Sequence, residues 1–308
     1  MQANTRKISE GAMMIALFTI FFFITVYIPV LGFATFFFIP LPIFLYRLRY
    51  DRKATIFVAI VATIVGTMIS GVLSAPFVLM FSLIGWAIGE NVAAGKSKLA
   101  TVMSVATIFL ITLVIVYVLT IQLFNINAVD QLQDMWKTQQ AETTELLKKS
   151  GAWSKEAEQS MNDSIVYITQ TLPSIFIMSG IAVGFIIVVL NFWLAKKLRH
   201  DVPRFGKFST MLLPMSVVFI YAVLLLIALF GGIDESSQWY LMLLNATVIF
   251  RALFFIQGLA FIKFMTEHFD VNKGLTVILF VIAVIFNPLT VLLGILDIGF
   301  RRSWVQKK

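Results

Sequence analysis

The chain has 308 residues, 59% of them hydrophobic and 13% charged, with a formal net charge of +8. Soluble domains average about 25% charged residues, so this balance excludes an ordinary water-soluble fold. The basic excess lies mostly in short loops between apolar runs, where it reads as membrane topology and anionic-lipid contact and not as nucleic-acid binding. The absence of cysteine excludes disulfides, thiolate catalysis and Cys-ligated metals.

Arg6 and Lys7 precede an apolar run at about residues 11–28. The run is longer than the apolar core of a cleaved leader, and no small-x-small site follows it. It predicts a retained first span with the N-terminus inside. A second span, at about residues 30–46, is interrupted by Pro40 and Pro42 and returns to a basic loop holding Arg47, Arg49, Arg52 and Lys53. Spans three (about 54–70) and four (about 75–89) lead out and back to Lys96 and Lys98. Residues 99–124 carry no charge, and a helix of that length is roughly 39 Å long, enough to cross a hydrocarbon core of about 30 Å with some tilt.

Residues 125–170 form the one substantial polar stretch, with seven acidic side chains against four lysines. Val129, Leu132 and Trp136, then Leu146 and Leu147, give a patchy helical period broken at Ser150-Gly151, which predicts two amphipathic helices in a hairpin on the outer face. Thr171-Leu172-Pro173 then predicts the start of span six, with Thr171 as N-cap and Pro173 in the first turn. That span (about 172–195) meets Lys196, Lys197, Arg199, Arg204 and Lys207. Span seven (about 210–230) leads out to Asp234 and Glu235, and span eight (about 240–264) leads back.

Residues 275–300 are apolar but contain Asn287-Pro288, and Arg301, Arg302, Lys307 and Lys308 follow. A single crossing would put that basic tail outside. Two half-length helices in a re-entrant hairpin keep it inside, and a kinked ninth span is the alternative. The expected fold is therefore all-α. It is a polytopic transmembrane bundle of about eight spans with an extracytoplasmic helical hairpin and a C-terminal re-entrant or kinked hairpin. Residues 1–124 carry the first five spans, 125–171 the insert, and 172–308 the remaining spans with a basic tail.

Ala93-Ala94-Gly95-Lys96-Ser97 superficially suggests a phosphate loop. The Walker pattern, however, needs glycine at position 90, which is Glu90, and a membrane span follows. His200 and His268 stand in separate loops without metal-ligand spacing, so no metal site is read. No nucleophile elbow occurs, and neither an enzyme nor a bound cofactor is expected. Small-xxx-small pairs at Ala12/Ala16, Gly85/Gly89 and Gly180/Gly184 let helix backbones approach closely, either inside the bundle or against another subunit.

Arg251 lies near the middle of span eight, where an arginine costs several kcal/mol by insertion scales and so should face protein or water and have a partner. It reads either as a structural anchor or as a ligand or ion contact. Asn245 and Gln257 share its helix, but six-residue steps set the three about 120° apart, so they form no single polar stripe. Glu90, at the end of span four, and Asp297, in the terminal hairpin, are its candidate carboxylates.

The run Ile8-Ser9-Glu10-Gly11-Ala12-Met13-Met14-Ile15-Ala16-Leu17-Phe18, then Tyr27-Ile28-Pro29-Val30-Leu31-Gly32 and Phe38-Ile39-Pro40-Leu41-Pro42, resembles the start of the YybS-like family of bacterial membrane proteins. Gln257-Gly258-Leu259-Ala260-Phe261-Ile262 and Leu293-Gly294-Ile295-Leu296-Asp297, followed by Arg301-Arg302, resemble its other end. The first part is also similar to the substrate-binding S components of energy-coupling-factor vitamin transporters. That similarity implies six helices with both ends cytoplasmic, and an Ala-xxx-Ala pair on helix one that docks on a transmembrane coupling subunit. Ala12 and Ala16 match the pair. The outer insert, two further spans and the terminal hairpin lie beyond a minimal S component.

The resemblance implies a multi-pass protein of the bacterial plasma membrane, with both termini cytoplasmic, that binds or transports a small molecule. Its partners would be the lipid bilayer, a coupling subunit and ATPases. A non-transporting scaffold or regulator, acting on an envelope protein through the outer hairpin, is the alternative.

Overall fold

The computed structural model describes residues 2–151, 153–203 and 205–305. Arg204, Lys307 and Lys308, and the Arg302 side chain, lie outside the described residues. Among the described residues every regular element is helical: α1 (Gln2–Tyr27), α2 (Pro29–Phe36), α3 (Leu41–Arg49), α4 (Arg52–Ser70), α5 (Ala75–Ala93), α6 (Lys98–Phe124), α7 (Ala128–Ser150), α8 (Lys155–Lys197), α9 (Met215–Phe230), α10 (Gln238–His268), α11 (Lys273–Ile285) and α12 (Asn287–Val305). Counting α2 with α3 as one, seven of these are long and apolar enough to cross a membrane. α9 is a shorter apolar helix, and α11 and α12 form a pair bent by 107°.

Local chemistry sets the helix starts. Asp51, Ser97, Ser237 and Asn272 each accept a backbone N–H from the first turn of α4, α6, α10 and α11 respectively. The predicted start at residue 171 does not occur. α8 runs unbroken for 43 residues with Pro173 inside it, and the Thr171 hydroxyl donates back to the Tyr167 carbonyl instead of capping anything. At 1.5 Å per residue α8 is about 65 Å long, twice the hydrocarbon thickness, so one helix supplies both an arm of the polar hairpin and a membrane span. The hairpin itself forms: α7 ends beside Gly151, and the Gln140 amide donates to Asn162 Oδ1 at 2.6 Å.

The chain makes two compact units. The first comprises Met1–Gln139 and Phe176–Phe205, and thus α1 to α6, the first half of α7 and the second half of α8. Its core holds Phe18, Ile39, Ile43, Phe44, Ile84, Val105, Ile187 and Val188, all fully buried. The expected interruption at Pro40 separates α2 from α3, and a broken span leaves backbone carbonyls that lipid cannot satisfy. Asn191, fully buried on α8, donates its amide to one of them, Phe37 O, at 2.8 Å.

The second unit comprises Gln140–Ile175 and Gly206–Lys308. Tyr221, Phe254, Val291 and Ile298 form its core. α10 and α12 meet backbone to backbone. A Cβ at Gly258 would lie 2.1 Å from the Thr290 carbonyl oxygen, and one at Gly294 would lie 2.0 Å from that of Phe254. Phe254 faces Gly294, Gln257 faces Asp297 and Phe264 faces Arg301, so α12 runs in the same direction as α10. Arg301 therefore returns to the end of α10 from which α11 departs, which is the geometry of a re-entrant hairpin.

Candidate functional site

Asp297 is the centre of the buried polar cluster in the second unit. The residue is 1% exposed, and its carboxylate takes a two-pronged ion pair from Arg301 one turn later, with Nε to Oδ1 at 2.9 Å and Nη2 to Oδ2. The spacing of four residues on one helix face brings the two together. Gln257, fully buried on α10, donates Nε2 to Asp297 Oδ2 and to the Met211 carbonyl, and its Oε1 accepts the Leu213 N–H at 3.1 Å. Arg301 also donates Nη1 to the Ser209 carbonyl, and its guanidinium lies 4.6 Å from the Phe264 ring centroid. Two helices are thereby fastened to the 209–213 segment that leads into α9. A bidentate carboxylate with its remaining valences filled is the form in which a buried charge is tolerated.

Asn245 does different work. Proline at 173 removes one N–H from the α8 ladder and wedges it open. In a continuous helix the Ser174 N–H would donate to the Gln170 carbonyl. Here Asn245 sits between them: the Ser174 N–H donates to Asn245 Oδ1 at 2.8 Å, and Asn245 Nδ2 donates to Gln170 O at 2.8 Å. Nδ2 also donates to Leu241 O on its own helix. The side chain replaces a missing rung, so none of its donors is left for a ligand.

Each of the two candidate carboxylates is held by another arginine of its own unit. Glu90 pairs with Arg47 at 2.9 Å inside the first unit. Asp297 is taken by Arg301, so neither candidate carboxylate belongs to Arg251. Arg251 is an exposed position at mid-helix on α10, and no ion pair to it occurs among the described residues. Of the five polar residues singled out above, four are consumed by internal partners and Arg251 is not.

At the Arg6 end of α1 a charged collar ties three elements of the first unit together. Glu10 pairs with Arg6 and Arg49, Lys7 with Asp51, and the Tyr46 hydroxyl donates to the Lys7 carbonyl. The Lys7 ammonium, with help from the Ala54 N–H, holds the Asp51 carboxyl below the usual carboxylate range. Burial, with a smaller contribution from Arg49, lowers the His200 imidazole, whose Nε2 is 3.5 Å from Arg49 Nη2.

The three small-residue pairs divide sharply. Gly85 and Gly89 face α3, where added Cβ atoms would lie 2.5 Å from Pro40 O and from Arg47 Cβ. Gly180 and Gly184 face Leu110 and Ala106 of α6. Ala12 and Ala16 are exposed, while Gly11, Met14 and Phe18 on the opposite side of α1 are buried. A 490 Å³ groove also opens between α10, α11 and α12, lined by Phe261, Met265, Ile282, Phe286, Leu289 and neighbours. It offers almost no polar group to orient a ligand.

Sequence reasoning missed Arg301, read only as a tail charge, and Asn191. The first had a signal in its spacing from Asp297. The second had none, because the freed carbonyl it serves lies 154 positions away.

The family described as "Predicted membrane protein (DUF2232)" matches residues 16–298. "Uncharacterized protein YybS" of Bacillus subtilis (strain 168) is 27% identical over 302 residues, covering 96% of this chain and 97% of that protein. No solved structure matches.

Proposed function

The chain belongs to the DUF2232 family of predicted membrane proteins, and from that premise we propose that this integral membrane protein binds or transports a small molecule through a core like that of an energy-coupling-factor S component. The observation that carries the reading is the open face of α1. Of three small-residue pairs, only Ala12/Ala16 is left exposed by the chain's own packing. A small-residue face in a membrane helix is where another helix backbone approaches closely. Six spans share a compact unit with that face: α1, the α2–α3 pair, α4, α5, α6 and the second half of α8. This number supports the similarity to S components.

On this reading Ala12 and Ala16 meet a transmembrane coupling subunit, and energy comes from partner ATPases or an ion gradient. Within the second unit, Arg251 is the one charged residue of those singled out above that has no ion pair among the described residues, and it would be the contact for an anionic ligand there. Both termini face the cytoplasm of a bacterial cell, and the α7–α8 hairpin projects outside. The test is native mass spectrometry of the full chain after mild extraction. A retained small molecule, or a co-purified coupling subunit with ATPases, supports transport.

A second reading, a scaffold or regulator, rests on α7, where Met135 and Leu146 are 67% and 65% exposed on a helix outside the spans. An envelope protein captured through residues 125–170, with no small molecule retained, would favour it.

A further inference from the structure

A groove of 360 Å³ runs between α4 and α5 in the first unit, lined by Arg52, Ile56, Ile60, Ile64, Leu79, Leu83 and Trp86, with Thr63 and Ser82 at its floor. Its walls are aliphatic, and Ile60 and Ile64 are each 54% exposed. Thr63 and Ser82 satisfy one another at 2.8 Å, so the floor makes no demand on an occupant. From Arg52 to Ile64 the helix rises about 18 Å, close to the depth of one leaflet of a 30 Å hydrocarbon core.

The mouth is positive and unspent. The Arg52 guanidinium lies 5.5 Å from the Trp86 ring centroid, a stacking contact that leaves its N–H edge available. Arg52 makes no ion pair among the described residues, and Lys53 beside it is exposed. The neighbouring carboxylates are already engaged: Asp51 by Lys7, Glu90 by Arg47, and Glu10 by Arg6 and Arg49. Trp86 Nε1 is closed off from solvent and has no hydrogen-bond partner, although its ring lines the groove. A phosphate and one acyl chain are the chemistry that meets a guanidinium at the mouth and an aliphatic trough below it.

We infer that the α4–α5 groove seats an anionic phospholipid from the leaflet at the Arg52 end, with Arg52 on the phosphate and one chain along Ile56, Ile60 and Ile64. The protein is reconstituted at full length in phosphatidylcholine vesicles. These contain phosphatidylglycerol or phosphatidylcholine with brominated chains, each titrated over the same range of mole fraction. The Trp86 share of tryptophan fluorescence is the difference between the parent and Trp86→Phe. It is expected to be half-quenched at a several-fold lower mole fraction of the brominated phosphatidylglycerol, and Arg52→Gln is expected to erase that difference.

Equal quenching by the two lipids in the parent overturns the inference, as does a preference that survives in Arg52→Gln. Loss of the preference on adding soluble glycerol phosphate also overturns it, because the site would then be one for a free anion. Native mass spectrometry of the parent needs no variant. Retention of one phosphatidylglycerol in preference to phosphatidylcholine of the same chains is the supporting result, and equal retention the contrary one.

Discussion

Arg301 grips Asp297 across a single helical turn, with both residues at least nine-tenths buried and the pair pinned to the neighbouring helix by Gln257. Taking two charges out of water is costly, and the pair survives only while each half is present. Asp297→Leu or Arg301→Leu alone is expected to destabilise the protein by about 3–5 kcal/mol, and the double replacement by much less. Thermal unfolding in detergent, followed by fluorescence-detected size exclusion, measures the cycle. A double variant that costs the sum of the two single replacements would mean that the pair is not coupled.

Asn245 and Pro173 form a second coupled pair. Asn245→Leu strands the Ser174 N–H and the Gln170 carbonyl, at about 1–3 kcal/mol for each buried group left unmet. In a Pro173→Ala background the α8 ladder can relax toward its own i to i−4 bond, so the same change is expected to cost at least about 1 kcal/mol less. Additive costs in the two backgrounds would count against the rung-replacement account.

How much of this was legible beforehand divides by range. The spans stood out because a charge-free run of bilayer length has few other uses, and the break at Pro40 and the turn at Ser150-Gly151 are local backbone effects. Thr171-Leu172-Pro173 misled because its cap signature is equally local, whereas the partner that lets the helix continue through Pro173 is Asn245, on another helix. Arg251 invites a search for a carboxylate, and both candidates are held by other arginines, Glu90 by Arg47 and Asp297 by Arg301. Sequence shows that a buried charge needs a partner. Packing chooses which.

The direction of α12 carries a topological consequence. Arg301 lies beside Phe264, one turn from the end of α10. Cysteines placed at Asp270 and Ser303 are therefore expected on the same side of the membrane, opposite to one at Ser150. The chain has no cysteine of its own, so an impermeant maleimide on intact cells should label Ser150→Cys and neither of the others. Labelling of Ser303→Cys but not Asp270→Cys would require a ninth crossing.

His200 supplies a pH dependence. Burial and Arg49 lower its folded pKa, so the unfolded chain binds the proton first and stability falls as pH drops through the ordinary imidazole value of about 6.5. The contribution is full above that value and shrinks until the folded group also protonates. His200→Gln is expected to flatten the stability profile between about pH 5 and 7. Histidine carbon shifts, read in a His268→Gln background, should place the His200 titration below that of a free imidazole. A titration at or above it would remove the effect.

The proposal as a whole turns on whether the open face of α1 is a docking surface. The double change Ala12→Leu, Ala16→Leu adds bulk on a face that is exposed among the described residues, so the monomer should fold and migrate as the parent does. Co-purification after mild extraction is the decisive measurement. The S-component-like account predicts that the parent retains a transmembrane coupling subunit with its ATPases and that the well-folded double variant loses them. A parent that captures no such subunit, or a double variant that keeps it, would contradict the account.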